Sequence, residues 1–190
     1  GHVDRFPWHA SGAKQGTEFR LLYDSRALYA RFDCEDAHIW AEARQLNGPV
    51  CIDSAVELFA SPAPGETADY FNFEANCVGQ FHLGFGPDRH HRRLIDVDLA
   101  RKIDVATSVP GPARAESPDD DGWWLIAALP WEVLDAFMGL TVRPASGTVW
   151  QANVYRCGGR TDPQFAVWAP IDRPRPDFHR PEFFAGMRFA

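Results

Sequence analysis

Residues 52–61 read IDSAVELFAS, and this stretch shows the pattern that decides the fold. Val56, Leu58 and Ala60 occupy every second position, which is the period of a β-strand. Glu57 lies between them, and three explanations are open for its carboxylate. Its face of the strand is exposed to water, or it is buried with a partner because an unpaired buried charge is costly, or it binds a ligand in a concave site.

The segments on both sides of this stretch have the same strand-like character. Upstream, residues 18–36 read EFRLLYDSRALYARFDCED and predict a hairpin whose turn is DSR. Its second strand is half-buried, because small and apolar side chains alternate with polar ones from Ala27 to Glu35. Further strand-like runs, separated by Gly- and Pro-containing turns, lie at 70–76, 79–85, 103–107, 123–129 and 148–156.

Helical patterns are few. Residues 129–137, LPWEVLDAF, predict one helix, because Pro130 suits a first helical turn and Trp131 and Leu134 fall on one face. A weaker pattern predicts a second helix over 37–45. Many short strands with little helix predict an all-β fold, an antiparallel β-sandwich with one or two short helices, as a single domain over residues 1–190.

The composition limits the classes of function. A chain of 190 residues with 45% hydrophobic residues forms a substantial core. Its net charge of −7 argues against a nucleic-acid ligand or an anionic membrane surface. No apolar run is long enough to span a membrane, and no signal peptide is visible.

The four cysteines do not form a metal motif. They are Cys34, Cys51, Cys77 and Cys157, and no CxxC occurs. Their strand-like neighbours favour small buried thiols, although a disulfide stays open. A zinc site is disfavoured by the spacing.

No sequence motif for catalysis is present, because the chain lacks GxSxG, a phosphate-binding loop and a dinucleotide fingerprint. The run RHHRR at 89–93 is the one dense basic segment. It is a solvated loop tip that pairs with nearby carboxylates, or it supplies Arg89 and Arg92 as donors to a polyol or carboxylate ligand. A third interpretation, His90 and His91 as metal ligands, is disfavoured because adjacent residues in an extended loop point apart. Trp168 lies in a Pro-rich loop, where packing or stacking on a sugar ring explains it equally well.

The order of these segments resembles the family 9 carbohydrate-binding modules and their DOMON-like relatives. The resemblance covers Phe6 to Phe189, and it depends on seven pieces in sequence. They are FPWHASG, EFRLLYDSRALYARFDCED, NGPVCIDSAVELF, YFNFEANCVGQFHLGFG, WQANVYRCGG, VWAP and DFHRPEFFAGMRF. It implies a β-sandwich that holds a sugar on a concave face between two tryptophans, and a structural calcium ion is compatible with it.

Carried over residue by residue, the resemblance implies a set of ligand-binding residues. Glu57 matches the family's acidic, sugar-contacting position, which favours the third explanation for its carboxylate. Asn153 and Arg156, in WQANVYR, match the polar wall, and Trp168 matches one platform.

The second platform departs from the family pattern. Cys51 stands where the family often has a tryptophan, and a thiol cannot stack on a sugar ring. Trp40, in the preceding loop, is the candidate replacement.

The function expected from this resemblance is non-catalytic binding of a glycan end or small saccharide. The setting expected is an extracytoplasmic polysaccharide-degrading system, with the domain attached to or partnering a glycoside hydrolase. The alternative is a DOMON-type small-ligand or haem domain in electron transfer. Haem iron needs axial ligands, and Met138 and Met187 are the only methionines that the sequence offers for that role. Both methionines lie in apolar stretches typical of core. A glycosidase would need facing carboxylates, and no sequence feature indicates them.

Overall fold

The computed structural model describes residues 1–10 and 12–190 and shows an antiparallel β-sandwich. The strands are β1 His2–Val3, β2 Thr17–Tyr23, β3 Ala27–Glu35, β4 Ala55–Ser61, β5 Tyr70–Asn76, β6 Phe81–Gly86, β7 Arg93–Leu94, β8 Asp104–Thr107, β9 Gly122–Pro130, β10 Val149–Cys157, β11 Phe165–Val167 and β12 Ala185–Arg188. The helices are α1 Val97–Ala100 and α2 Trp131–Met138, with 3₁₀ turns at Val50–Ile52 and Pro181–Phe183. The predicted fold class is confirmed.

The strands form two sheets. The five-stranded sheet has the order β1-β2-β3-β9-β8. The seven-stranded sheet has the order β11-β10-β4-β5-β6-β7, and β12 also pairs with β10. The inner faces of both sheets enclose one apolar core.

The predicted hairpin is β2–β3. Its turn is fixed by Asp24, whose Oδ1 accepts hydrogen bonds from the backbone N–H groups of Arg26 and Ala27 at 2.7 and 3.0 Å. β3 is half-buried as predicted, with alternate residues from Leu28 to Cys34 in the core.

The seven-stranded sheet is covered on both faces. Every residue of β4 and of β5 is buried, so Glu57 does not face open solvent. The inner face meets the main core, and the outer face carries a second, smaller apolar cluster that includes Phe59, Tyr155 and Phe178. The first explanation for Glu57, a water-exposed strand face, is therefore wrong.

The predicted helix at 129–137 is α2. Trp131 and Leu134 are buried on its inner face, and the helix ends at Gly139, whose φ of 67° is left-handed. Met138, in the last turn, is buried, and Met187, in β12, is half-buried against the core. Both methionines therefore act as packing residues.

The weaker helix predicted over 37–45 is wrong, because this segment is an irregular loop. Its backbone N–H groups donate to partners outside the segment. Ala41 N donates to Ala113 O at 2.7 Å, and Asp53 accepts from Glu42 N and Ala43 N at 2.8 and 3.1 Å. These tertiary bonds replace the helical ones.

Two further findings concern the described residues. None of their helices is long and apolar enough to cross a bilayer. All four cysteines are free thiols, and Cys51 alone among them is exposed.

Candidate ligand-binding site

The outer face of the seven-stranded sheet carries a row of polar side chains. In the strand register, Glu57 of β4 is the direct partner of Tyr155 on one side and of Glu74 on the other. Glu74 in turn pairs with His82 of β6. Because directly paired residues project from the same face, the two glutamates lie side by side.

These carboxylates form part of the wall of a cavity of about 400 Å³. Its charged and titratable lining consists of Glu57, Glu74, Arg89, Arg92, Asp177 and His179. Phe165 and Phe178 add aromatic rings, and Cys51 and Cys157 add thiols. This volume lies at the lower end of the range for small-molecule sites, about 300–1,000 Å³.

Glu57 is 2% exposed and has a weak partner. The thiol of Cys157 donates to its Oε1 at 3.3 Å, and no N–H donor or cation in the described chain hydrogen-bonds to it. Burial raises the pKa of Glu57 well above its ordinary value, and the negative charge of Glu74 adds to the effect. Both effects make ionisation of Glu57 less favourable in the free domain than in water.

Glu74 is better satisfied than Glu57. Asn72 Nδ2 donates to Glu74 Oε1 at 2.7 Å, and Arg92 Nη1 lies 3.5 Å from the same atom. Burial raises the pKa of Glu74, and the charge of Arg92 opposes that shift. Asn72 Oδ1 is buried and lacks a hydrogen-bond partner within the described residues, but Asn72 does not line the cavity.

The segment from 176 to 180 closes one side of the cavity and is held by specific contacts. Tyr155 OH donates to Phe178 O at 3.0 Å, and the two rings stack with centroids 4.2 Å apart. His179 Nδ1 lies 2.7 Å from Tyr70 OH, and Arg89 forms an ion pair with Asp177. The wall is therefore built before any ligand arrives.

His179 is neutral in this wall. Burial, followed by the charges of Arg92 and Arg89, lowers the pKa of His179 to about 3. Its imidazole therefore offers a hydrogen bond without adding a charge to the cavity.

The arrangement suits recognition of a small polyol. Carboxyl, imidazole and guanidinium groups provide acceptors and donors for hydroxyls, and Phe165 and Phe178 provide apolar surface. The predicted Glu57, Arg89 and Arg92 all lie in this one cavity.

Trp168 lies elsewhere. It neighbours β11, where Val167 is the register partner of Tyr155, so Trp168 projects toward the inner side of the sheet. Its ring meets Phe19 edge-on at 5.7 Å, in an apolar groove of about 580 Å³ between the sheets. The structure does not bring Trp168 to Glu57, and the prediction of a shared cleft is wrong because strand alternation turns the ring inward.

Arg156 also faces inward, for the same reason. Its guanidinium is 2% exposed, contacts Asp36 Oδ2 at 2.5 Å and lies 5.3 Å from the ring of Trp123. The predicted polar wall role is therefore wrong for Arg156. For the second explanation, burial with a partner, Arg156 is not that partner, because it pairs with Asp36 instead.

Asn153 is on the outer face but has no free polar atom. Its Nδ2 donates to Ala169 O at 3.0 Å, and its Oδ1 accepts from the N–H groups of Ala169 and Val154 at 2.8 and 2.9 Å. It is fully buried and anchors the loop after β11. Asn153 therefore does not make the predicted ligand contact, because its side-chain amide already bonds to the backbone.

Trp40 does not line the cavity either. It is half-buried in the loop before β4, and the Arg160 guanidinium lies over its ring at 5.3 Å. The face of the Trp40 ring is therefore covered by a guanidinium group, and Trp40 does not supply the second stacking surface that is absent at Cys51.

Sequence analysis missed Glu74, Cys157, Phe178 and His179. Glu74 had a signal, because YFNFEAN alternates as IDSAVELFAS does and places Asn72 and Glu74 on one face. Phe178 and His179 had none, because a loop position gives no periodicity from which to infer a direction.

A metal site is not apparent. Within residues 1–10 and 12–190, no three or more His, Cys, Asp or Glu side chains are arranged to hold a metal ion. Buried Asp53, for example, already accepts from two backbone N–H groups and from Asn76 Nδ2 at 2.8 Å. We therefore assign no residue to calcium.

Comparisons with known proteins concern the family and the fold of the chain. The family model described as carbohydrate-binding family 9 matches residues 1–189. A crystal structure of a protein from Bacteroides uniformis ATCC 8492, to which carbohydrate binding is ascribed by inference, has 28% identity and a TM-score of 0.89. The alignment covers 100% of this chain and 85% of that one. A comparison with curated proteins found no match.

Two more distant structures share the fold. Both are family 9 carbohydrate-binding modules from Caldicellulosiruptor kristjanssonii with 14% identity, one in complex with glucose and one with cellotriose. The glucose complex has a TM-score of 0.62 and aligns over 97% of this chain and 82% of that one. The cellotriose complex has a TM-score of 0.59 and aligns over 95% of this chain and 77% of that one.

Proposed function

The chain belongs to carbohydrate-binding family 9, and from this premise we propose that its saccharide binds in the cavity that contains Glu57 and Glu74. The function is non-catalytic carbohydrate binding. The observation that carries the location is a cavity with two buried carboxylates beside aromatic rings. Its volume of about 400 Å³ suits one or two sugar units, so the ligand we propose is a glycan end or small saccharide.

The paired carboxylates do not change the non-catalytic assignment. In a glycosidase, two carboxyl groups flank the scissile bond from different sides. Glu57 and Glu74 instead project side by side from neighbouring strands of one sheet face, so both approach a ligand from the same direction. That geometry suits two hydrogen-bond acceptors that contact the same side of a ligand.

The test is calorimetric titration with glucose and cellotriose, the sugars named in the related complexes. Glu57→Leu removes both oxygens, and we expect it to weaken binding by about tenfold, the value of roughly one hydrogen bond to a charged or strongly polar group. Glu66→Leu, at an exposed turn position outside the cavity, is the matched control and should not change affinity. Equal affinities for the wild type and Glu57→Leu would contradict the proposed location.

We also propose that the domain works in an extracytoplasmic setting, attached to or beside a polysaccharide-degrading enzyme. The support is its family and the fit of its cavity to a glycan end rather than to a long chain. Immunodetection in fractionated native cells checks the location, and recovery only from the cytosolic fraction would contradict it. Co-purification with glycoside hydrolase activity checks the association.

A further inference from the structure

Glu57 differs from every other charged group that lines the cavity, because it has no counter-ion in contact. Arg89 forms an ion pair with Asp177, and Arg92 Nη1 lies 3.5 Å from Glu74 Oε1. The only side chain of the described residues that hydrogen-bonds to Glu57 is the neutral thiol of Cys157. The unmatched group in this cavity is therefore a carboxylate.

The pairing of the cavity charges points the same way. Asp177 contacts both Arg89 and Arg180, and Glu74 contacts Arg92, so each of these charged groups has an opposite charge beside it and Glu57 does not. An acidic sugar would add a second negative charge next to arginines that are already paired. A cationic group would instead supply the missing partner, and burial makes such a pair stronger than it would be in water.

We propose that this cavity prefers sugars that carry a free primary amine, and that the ammonium group binds against the Glu57 carboxylate. This inference rests on the proposed function, because it names the class of saccharide that the same site takes. Neutral sugars bind through their hydroxyls alone, and acidic sugars bind least well.

Proton release from Glu57 distinguishes the binding of an amino sugar from the binding of a neutral sugar. Burial and the charge of Glu74 raise the pKa of Glu57, whereas Arg92 and Arg89 oppose that rise. His179 has its pKa lowered to about 3 and adds no positive charge. An arriving ammonium therefore displaces a proton from the Glu57 carboxyl, and the proton leaves to the buffer, whereas a neutral sugar releases none.

The experiment titrates the wild-type domain with glucosamine, glucose, N-acetylglucosamine and glucuronate at about pH 6.5, where a sugar amine is protonated. We expect glucosamine to bind about tenfold more tightly than glucose or N-acetylglucosamine, as a charge-assisted pair requires. Glucuronate should bind more weakly than glucose. Repeating the titration in phosphate and Bis-Tris, which both buffer at this pH and differ in ionisation enthalpy, should change the heat for glucosamine and leave that for glucose unchanged.

Glu57→Gln separates the charge from the hydrogen bonds. It should retain glucose affinity within about threefold, because an amide still donates and accepts, and it should lose both the amine preference and the buffer-dependent heat. Glu66→Gln, exposed and outside the cavity, is the control and should keep both.

Two outcomes overturn the inference. Equal affinity for glucose and glucosamine, or an amine preference that survives Glu57→Gln, would show that Glu57 does not select a cation. If glucose binds normally in the same experiment, the proposed function stands and only this inference fails. If no sugar binds at all, the proposed function fails with it.

Discussion

Two buried carboxylates on opposite sides of the seven-stranded sheet have opposite environments. Asp36 on the inner side accepts from Arg156 at 2.5 Å and from Trp123 Nε1 at 2.9 Å. Glu57 on the outer side accepts from Cys157 at 3.3 Å. Arg156 and Cys157 are consecutive in β10 and project from opposite faces of the sheet. The partner of Asp36 is therefore a guanidinium cation, whereas the partner of Glu57 is a neutral thiol.

The difference separates a structural charge from one to which the proposed function assigns ligand binding. Asp36 is matched within the chain, and both its oxygens are used, since Oδ1 also accepts from His38 N at 3.0 Å. Glu57 is left unmatched beside a cavity. A carboxylate left in that state costs stability unless a proton or a ligand completes it, which is the property expected of a recognition site.

The largest effect is expected on the inner side. Asp36→Asn leaves the guanidinium of Arg156 buried without a counter-charge, which should lower the free energy of unfolding by about 3–5 kcal/mol. Chemical denaturation measures it. Loss of less than about 1 kcal/mol would show that the pair is not a structural element and would remove one side of the comparison.

Trp168→Ala tests the boundary between the two regions. The ring packs against Phe19 in the groove between the sheets, so its removal should cost roughly 2–3 kcal/mol of stability, somewhat less than for a fully buried aromatic residue. Affinity for cellotriose should stay unchanged under folded conditions. A loss of affinity with unaltered stability would instead support the platform role that the sequence predicts.

Tyr155→Phe tests the wall of the cavity. The change removes the hydrogen bond to Phe178 O and keeps the ring stack, so we expect stability to fall by about 1 kcal/mol and sugar binding to weaken. Tyr29→Phe, whose hydroxyl bonds to Asp24 on an exposed face, is the control. Identical behaviour of the two variants in a sugar titration would argue against a held wall.

The smallest effect concerns pH. Because the folded domain raises the pKa of Glu57, its neutral form stabilises the fold at low pH, and this contribution is lost as pH rises through the folded pKa. In the absence of ligand, Glu57→Gln should therefore lack that part of the decline in stability above the ordinary pKa of 4.5. Thermal unfolding of both proteins across pH measures the difference. Parallel plots of stability against pH for the wild type and the variant would contradict the claim that Glu57 is buried without a charged partner.

The fold was predictable because alternation is a local property of the sequence. The β2–β3 hairpin and the α2 helix each follow from a turn or a first-turn proline together with periodic apolar residues. The loop over 37–45 was mispredicted because Asp53 and Ala113, distant in sequence, accept its backbone N–H groups.

The site was predictable only in part. The predicted residues Glu57, Arg89 and Arg92 share the candidate cavity, but which face of a strand lines that cavity depends on how the sheets stack. That global choice directs Arg156 and Trp168 to the core side. The wall residues Phe178 and His179 come from a loop whose path is fixed by Tyr70 and Tyr155.

The central claim is that sugar binds on the outer face beside Glu57 and not in the groove beside Trp168. Backbone and indole N–H chemical shifts recorded during titration with cellotriose test it in one measurement. We predict that the amides of Ile52, Asp177 and His179 shift, while the indole N–H of Trp168 and the amide of Met187 do not. Shifts confined to Trp168 and Met187 would contradict the account.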